Sequence, residues 1–533
     1  MIPVIILILG CITYNGYAAP ASQSATIYQE QRIIVPETPL DRIVFRNFER
    51  HDVHPTYCTD AVFLRRVYMD VIGTLPSEEE ARAFLTNPTL NKRQELIEQL
   101  LTRDEFADYW AMKWSDLLRI KAEFPVNLWP NAAQAYHRWV RASLHENKPY
   151  DRFVRELLVC NGSNFRVGPV NFYRAMQDRS PEGLAGAVAL AFMGIRFDKL
   201  PEADRVGMAV FFSQIAYKPT REWKEEIVYW DPYKNLTNNV TNSVAETETE
   251  LIGRVPSKKK IKISPDQDPR AVFADWLITS RNDWFTANIV NRIWAWLMGR
   301  GIIHEPDDIR PDNPPCNPAL LAYLQKELVR SDYDTRHIYR LILNSRTYQL
   351  SSIFPTSTLA KAAPLFAYYP LRQLEAEVLI DAINKITGST DLYTSAIPEP
   401  FTFIPSNKSA ISLPDGSITS SFLELFGRPA RATGFMNERV SRASASQRMH
   451  LLNASHIQSK LETGAAMRAL VNPQRKPREM IEAIYLTVLS RFPTTEEITA
   501  FETYMRSGVV KGTEAGIDLV WALINSEEFL FRH

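Results

Sequence analysis

From Leu40 to about Ile120, apolar positions recur at helical spacing without a break. Within that stretch, Leu75-Pro76-Ser77-Glu78-Glu79-Glu80 predicts a helix start, with Ser77 capping the amide three residues on and Glu80 reaching back. Arg491-Phe492-Pro493-Thr494-Thr495-Glu496-Glu497 repeats the device with Thr494 and Glu497, and Ala83-Phe84 after the first start is echoed by Ala500-Phe501 after the second. A second recurrence is an apolar helix end, a short polar corner and then an aromatic. It reads Leu100-Leu101-Thr102 before Phe106 and Leu523-Ile524-Asn525-Ser526 before Phe529, with looser copies before Trp284 and Tyr348. Short side chains that bond the backbone stop a helix at such corners. The recurrence predicts related helix–corner–helix modules at the two ends of the chain, too loosely matched for a solenoid.

The one strand-like region is the middle, about Trp230 to Ile263, where Glu246-Thr247-Glu248-Thr249-Glu250, Leu251-Ile252 and Lys260-Ile261-Lys262-Ile263 carry alternation and β-branched residues. Asn235 to Asn242 and the lysine-rich Pro256 to Lys260 read as loop. The fold class expected is therefore mainly α, with two helical domains (40–229 and 269–530) joined by a small β insert (230–268). A proline-containing irregular stretch from about Ser389 to Thr419 is long enough to be a functional loop; the plainer reading is a surface cover. Leu371 to Asp381 predicts an amphipathic helix with Leu374, Val378 and Leu379 inward and Glu375 and Glu377 on a solvated face.

At 533 residues with 45% hydrophobic and 23% charged side chains, the chain has room for several domains and is of globular composition. Lys plus Arg and Asp plus Glu are equal at 61 each, so no global field draws it to nucleic acid, whose binding depends on phosphate neutralisation. The run Ile2 to Ile12 is apolar but too short to cross a bilayer, and Ala19-Pro20-Ala21 offers a cleavage site. Residues 1–21 are thus expected to be a signal peptide, although no Lys or Arg precedes the apolar run. Ile8-Leu9-Gly10-Cys11 gives an alternative, a lipoprotein signal in which Cys11 is lipidated. Either way the protein is expected in the periplasm, at the cell surface or secreted, with no transmembrane anchor. Beyond Cys11, only Cys58, Cys160 and Cys316 remain, far apart and expected in core packing rather than in a disulfide framework.

Nucleotide-binding, nucleophile-elbow and zinc-protease signatures are all missing. His51 and His54 fall on a polar segment and are expected in solvent; His450 and His456 are expected to hydrogen-bond at a helix face. The densest chemistry runs from Asp275 to Ser352. Arg292 and Trp296 are four apart on one helical face, where guanidinium can lie on indole. Gly299 and Gly301 bracket the turn that stops this helix. Arg300, Asp307, Asp308, Arg310, Asn313, Arg346 and Tyr348 follow. Together these nine side chains form the candidate ligand site, suited to a polar, hydroxyl-rich or anionic ligand such as a glycan. The structural alternative is a satisfied carboxylate–guanidinium network that pins loops between helices. Asp307 and Asp308 are adjacent, a poor arrangement for glycosidic acid/base work, which needs carboxyls roughly 5–9.5 Å apart across a substrate.

The ordered motifs Phe63 to Pro76, Tyr109-Trp110 to Leu117, Asn147 to Asp151 and Asn171 to Arg174 resemble domain of unknown function 1549. The Asp275-Trp276-Leu277, Asn291-Arg292, Asp307 to Pro315 and Ser345 to Ser352 runs resemble domain of unknown function 1553, with a tail at Phe426-Gly427-Arg428-Pro429 and His450 to Asn453. The chain thus resembles secreted bacterial proteins, of planctomycete type, that carry the two domains in this order. The resemblance implies no assigned chemistry. It does imply relatives fused to cytochrome c-like or carbohydrate-binding modules, and a C-x-x-C-H haem attachment after the segment matching Gly194-Ile195-Arg196. Here that place reads Phe197-Asp198-Lys199-Leu200-Pro201-Glu202, and the Cys-rich patch of relatives is likewise missing at Gly434 to Arg439. No cofactor, and no haem, is expected. The leading expectation is a non-catalytic extracytoplasmic binding or scaffold protein whose partner is a polysaccharide or a cell-envelope protein. The alternatives are a glycan-active enzyme using Asp307 or Asp308 with Arg292 and Arg346, and a redox-associated protein that has lost its haem site.

Overall fold

The structure, a computed structural model, describes residues 27–30, 32, 34–234, 251–440, 442–510 and 512–533. The N-terminal signal, Cys11, the Asn235 to Asn242 loop and the Glu246 to Glu250 alternation lie outside the described residues. The chain is mainly α-helical, with small antiparallel sheets. Among the described residues no helix is long and apolar enough to cross a membrane.

Both expected capping boxes form. Ser77 and Glu80 exchange bonds at 3.1 and 2.8 Å to open the Glu78–Thr86 helix, and Thr494 and Glu497 do so at 3.2 and 2.7 Å to open Thr495–Arg506. The corners also stand where the pattern puts them. Lys92–Thr102 gives way to Asp104–Leu117 with Phe106 buried behind it, and Gly512–Ile524 gives way to Glu527–Leu530 with Phe529 buried. The two modules meet in space: the Glu78–Thr86 helix packs on Pro477–Leu489, and Arg82 reaches Glu482 at 3.6 Å.

The strands begin earlier than the sequence suggests. Ile215–Pro219 and Glu226–Trp230 pair antiparallel, with Gly162–Ser163 on the far side of Glu226–Trp230. Leu251–Arg254 then pairs with Lys260–Ile263 in a separate two-stranded ribbon. Upstream, the two hairpin strands are mostly half-buried and show no clean inward–outward alternation.

Buried hydrophobic side chains from Leu40 to Leu530 form one cluster through both halves. The Asp60–Val71 helix is a hub of it, buried on every side from Val62 to Val71. A helix without a wet face must satisfy its charged groups internally. Arg65 donates to the Val488 and Phe529 carbonyls at 2.7 and 2.9 Å, and Arg66 to those of His533, Tyr348 and Leu350 at 2.6–2.9 Å. The 389–419 stretch is a cover with few regular turns. It is tied down by Glu123, which accepts from Ser395 and Ala396, and by Asp415, which accepts from Ala122 and Ser417.

Candidate functional site

A cleft of about 340 Å³ opens where helix ends from both halves converge. The Asp104–Leu117 helix contributes Lys113 and Asp116, and the Asp283–Met298 helix contributes Arg292 and Trp296. Gly299 ends the second helix in the left-handed region (φ 71°), which turns the chain into a rim carrying Arg300, His304 and Glu305. The remaining walls are Arg372, Gln373 and Glu375, the loop 434–439, and Arg532.

Pairing of the Arg372–Gln373 and Phe531–Arg532 strands sets Arg372 directly opposite Arg532. Like charges in that register repel, and buried carboxylates offset them. Asp70, from the hub helix, accepts Arg532 at 3.0 Å, Arg372 at 3.3 Å, and the Tyr348 and Tyr369 hydroxyls at 2.9 and 2.7 Å. Glu375 sits between Lys113 and Arg532. Burial alone would raise its pKa, but Arg532 and Lys113 outweigh that and hold the carboxyl well below its usual range. Glu377 behaves alike: burial is overcome by Arg439 and Arg428, and its pKa falls to about 2. Arg439 bridges Glu377 (2.6 Å) and Asp116 (2.7 Å). Burial lowers Lys113 to about 8, despite Glu375. The expectation of a solvated face for Glu375 and Glu377 is thus overturned: both are buried, because cations distant in sequence fold onto them.

The nine candidate residues do not share one site. Arg292, Trp296 and Arg300 line the cleft. Arg292 is 2% exposed and turns to Asp307 at 2.7 Å, while Trp296 packs among Trp110 and Trp114. Asp307, 3% exposed, accepts Arg292 on one oxygen and the Met436 amide on the other at 2.7 Å, so it pins the 434–439 loop and has no oxygen free for acid/base exchange with a cleft ligand. Asp308 pairs with Arg310 at 2.8 Å outside the cleft, and Asn313 clamps the turn through the His304 and Asp308 carbonyls at 2.8 Å. Tyr348 lies beneath the floor on Asp70. Arg346 is elsewhere, paired with Glu37 and lying over Tyr57. Sequence reasoning missed Lys113, Asp116, Arg372, Gln373, Arg439 and Arg532. The nearest signal was the Tyr109 to Leu117 motif, which carries the first two.

The segments around Arg196 and Phe435 approach each other, with the Arg196 guanidinium 5.3 Å above the Phe435 ring. Phe197–Lys199 is a short 3-10 turn. Of the cysteines, Cys58 is buried and Cys160 and Cys316 are half-buried. His54 is exposed beside Asp52, and His456 bonds Asp391 at 2.9 Å. Among the described residues there is no grouping of His, Cys, Asp and Glu suited to a metal ion.

Two family models match the chain: residues 39–192 match a protein of unknown function (DUF1549) and residues 269–505 a protein of unknown function (DUF1553). No curated protein and no solved structure matches it. Both matched regions contribute residues to the cleft, Arg532 lies beyond them, and the chain belongs to the proteins in which domain of unknown function 1549 is followed by domain of unknown function 1553.

Proposed function

We propose that this is an exported binding protein that holds a polar ligand in the central cleft and performs no reaction on it, in the handling of extracellular polysaccharide. One observation carries the reading: cations outnumber carboxylates in the cleft lining, and the floor carboxylates Asp116 and Glu375 are already held by Arg439, Arg431, Lys113 and Arg532. A general acid needs a carboxyl that takes up a proton near neutral pH, and Glu375 is held ionised. The same excess of guanidinium suits recognition of charge and hydroxyls. Export rests on the apolar run Ile2 to Ile12, and a cell-envelope protein partner remains the alternative to a glycan.

A ligand that binds only the folded chain raises its unfolding midpoint by RT ln(1 + [L]/Kd), about 2.7 kcal/mol at a hundredfold excess over Kd. Thermal unfolding against a panel of neutral and charged polysaccharide fragments is expected to show an upward shift for some of them, without release of new reducing ends. Turnover of any fragment contradicts the non-catalytic reading; a midpoint unmoved by every fragment contradicts the polysaccharide reading.

A further inference from the structure

His450 and His456 face each other where two short helices meet, Ala445–Asn453 and Ser455–Thr463, with ring centroids 5.8 Å apart. His456 has a partner, since its Nε2 meets Asp391 at 2.9 Å. His450 has none at its own Nε2, which is buried and makes no hydrogen bond in the protein. The rings of Phe422 and Phe426, stacked 4.2 Å apart, lie against His450 at 5.6 and 6.2 Å and bring no charge. Lys460 adds a further cation, its ammonium 3.8 Å from Asp391. Asp381, which acts on Asp391 from the Ala376–Thr387 helix, holds its proton up to about pH 7 and so offers no counter-charge below it. On the acid side of neutrality, two imidazoles and an ammonium therefore share the single carboxylate of Asp391.

Both ring nitrogens of a protonated imidazole are donors. At His450 that places a donor without an acceptor, and a charge, inside a packed junction beside a second imidazole. Burial and His456 lower the His450 pKa, and Asp391 opposes them only in part. Once the helix swings into water, the ring recovers the ordinary imidazole value of about 6.5. The closed arrangement is thus favoured in full above about pH 6.5 and loses ground as pH falls below it.

Little apolar burial resists such an opening, since Gln447 and Leu451 are the buried residues of the Ala445–Asn453 helix. Gln447 fastens it, donating to the Leu425 carbonyl at 2.9 Å and accepting from the Gln373 amide at 3.1 Å. The Trp521 indole donates to the Leu452 carbonyl at 3.3 Å, and Arg448 and Glu527 form an exposed pair at 3.5 Å. Segments with few buried contacts are the first to open locally. Gln373 lines the cleft, so this helix is bonded directly to the cleft wall.

We propose that the Ala445–Asn453 helix is an acid-released clamp: protonation of His450 frees it from Phe422 and Phe426, withdraws Gln447 from Gln373 and loosens one wall of the cleft. The inference stands on the junction itself and does not depend on what the cleft holds.

Hydrogen–deuterium exchange of the full chain at about pH 5 and about pH 7.5, on either side of the imidazole value, tests it once the intrinsic pH dependence of exchange is divided out. Peptides over 445–453 are expected to exchange severalfold faster at the lower pH, while those of the Asp60–Val71 helix stay equally protected at both. In His450→Gln and His450→Phe, which do not titrate, the ratio between the two pH values is expected to fall to about one. Asp391→Asn removes the carboxylate that opposes the change and is expected to raise the ratio above that of the parent. A packing role alone for His450 would lower protection equally at both pH values. A parent ratio of one, a ratio retained in both His450 variants, or a ratio reduced by Asp391→Asn overturns the proposal. If neither His450 variant folds, the parent ratio and the direction of the Asp391→Asn change decide it.

Discussion

Asp381 and Glu377 lie one helical turn apart on the Ala376–Thr387 helix, both buried, yet they hold their protons in opposite ways. Glu377 faces Arg439 and Arg428 and stays ionised. Asp381 meets only the Ala410 and Ile411 amides, at 2.8 and 3.0 Å, with Glu377 and Asp391 adding repulsion. Burial dominates there and raises its pKa to about 7. The folded protein therefore keeps this proton up to about pH 7, whereas the unfolded chain gives it up near about 4. Stability linked to Asp381 is present in full below about pH 4 and declines as pH rises toward 7. Asp381→Asn, which carries no charge, is expected to cost less stability at pH 8 than at pH 5. Urea unfolding midpoints of both proteins across that range check it, and a difference independent of pH speaks against a protonated Asp381.

At the scale of elements, the turn at Gly299 decides where the cleft rim begins. Its φ of 71° suits glycine, and a Cβ there would lie 2.7 Å from Cδ of Arg372 and 2.9 Å from Cγ of Pro370. Gly299→Ala is expected to lose about 1 kcal/mol from backbone conformation alone and more from the contact. Gly299→Asn tolerates the left-handed region better and keeps the contact, so the difference between the two melting temperatures separates the contributions. Equal stability of Gly299→Ala and the parent would show that Arg372 moves freely. This stop, the capping boxes at Ser77 and Thr494 and the Thr102 and Ser526 corners were all legible in the sequence, because each is decided by residues within about four positions. The burial of Glu375 and Glu377 was not. A Glu-x-Glu pair beside leucines reads as a solvated helix face unless the reader knows that Lys113, Arg439 and Arg532 arrive from other segments. For the same reason the nine-residue site dispersed: proximity along 292–348 placed Arg346 and Tyr348 together with Arg292, while the fold sends them to Glu37 and Asp70.

For the whole molecule, the informative residue is Arg532, which ties Asp70 of the N-terminal region to Glu375 of the C-terminal region from a strand at the far end of the sequence. Asp70 and Arg532 are both almost wholly buried. Replacing one member of such a group leaves its partners charged and under-compensated, at a cost of about 3–5 kcal/mol. In Arg532→Met, Asp70 would retain Arg372 and the two tyrosines, and Glu375 would retain Lys113, so the loss is expected toward the lower end of that range. How the loss distributes tests the organisation of the chain. If the single hydrophobic cluster acts as one cooperative unit, calorimetry shows one transition, and Arg532→Met moves all of it to lower temperature. If two helical domains unfold independently, the parent shows two transitions and the substitution shifts them unequally. The contacts favour the first outcome, because Arg65, Arg66 and Asp70 of a single helix reach carbonyls and side chains at positions 348, 350, 372, 488, 529, 532 and 533. A helix bonded to so many distant segments cannot remain folded after they leave it, so the cleft above it is expected to form and be lost together with the whole molecule.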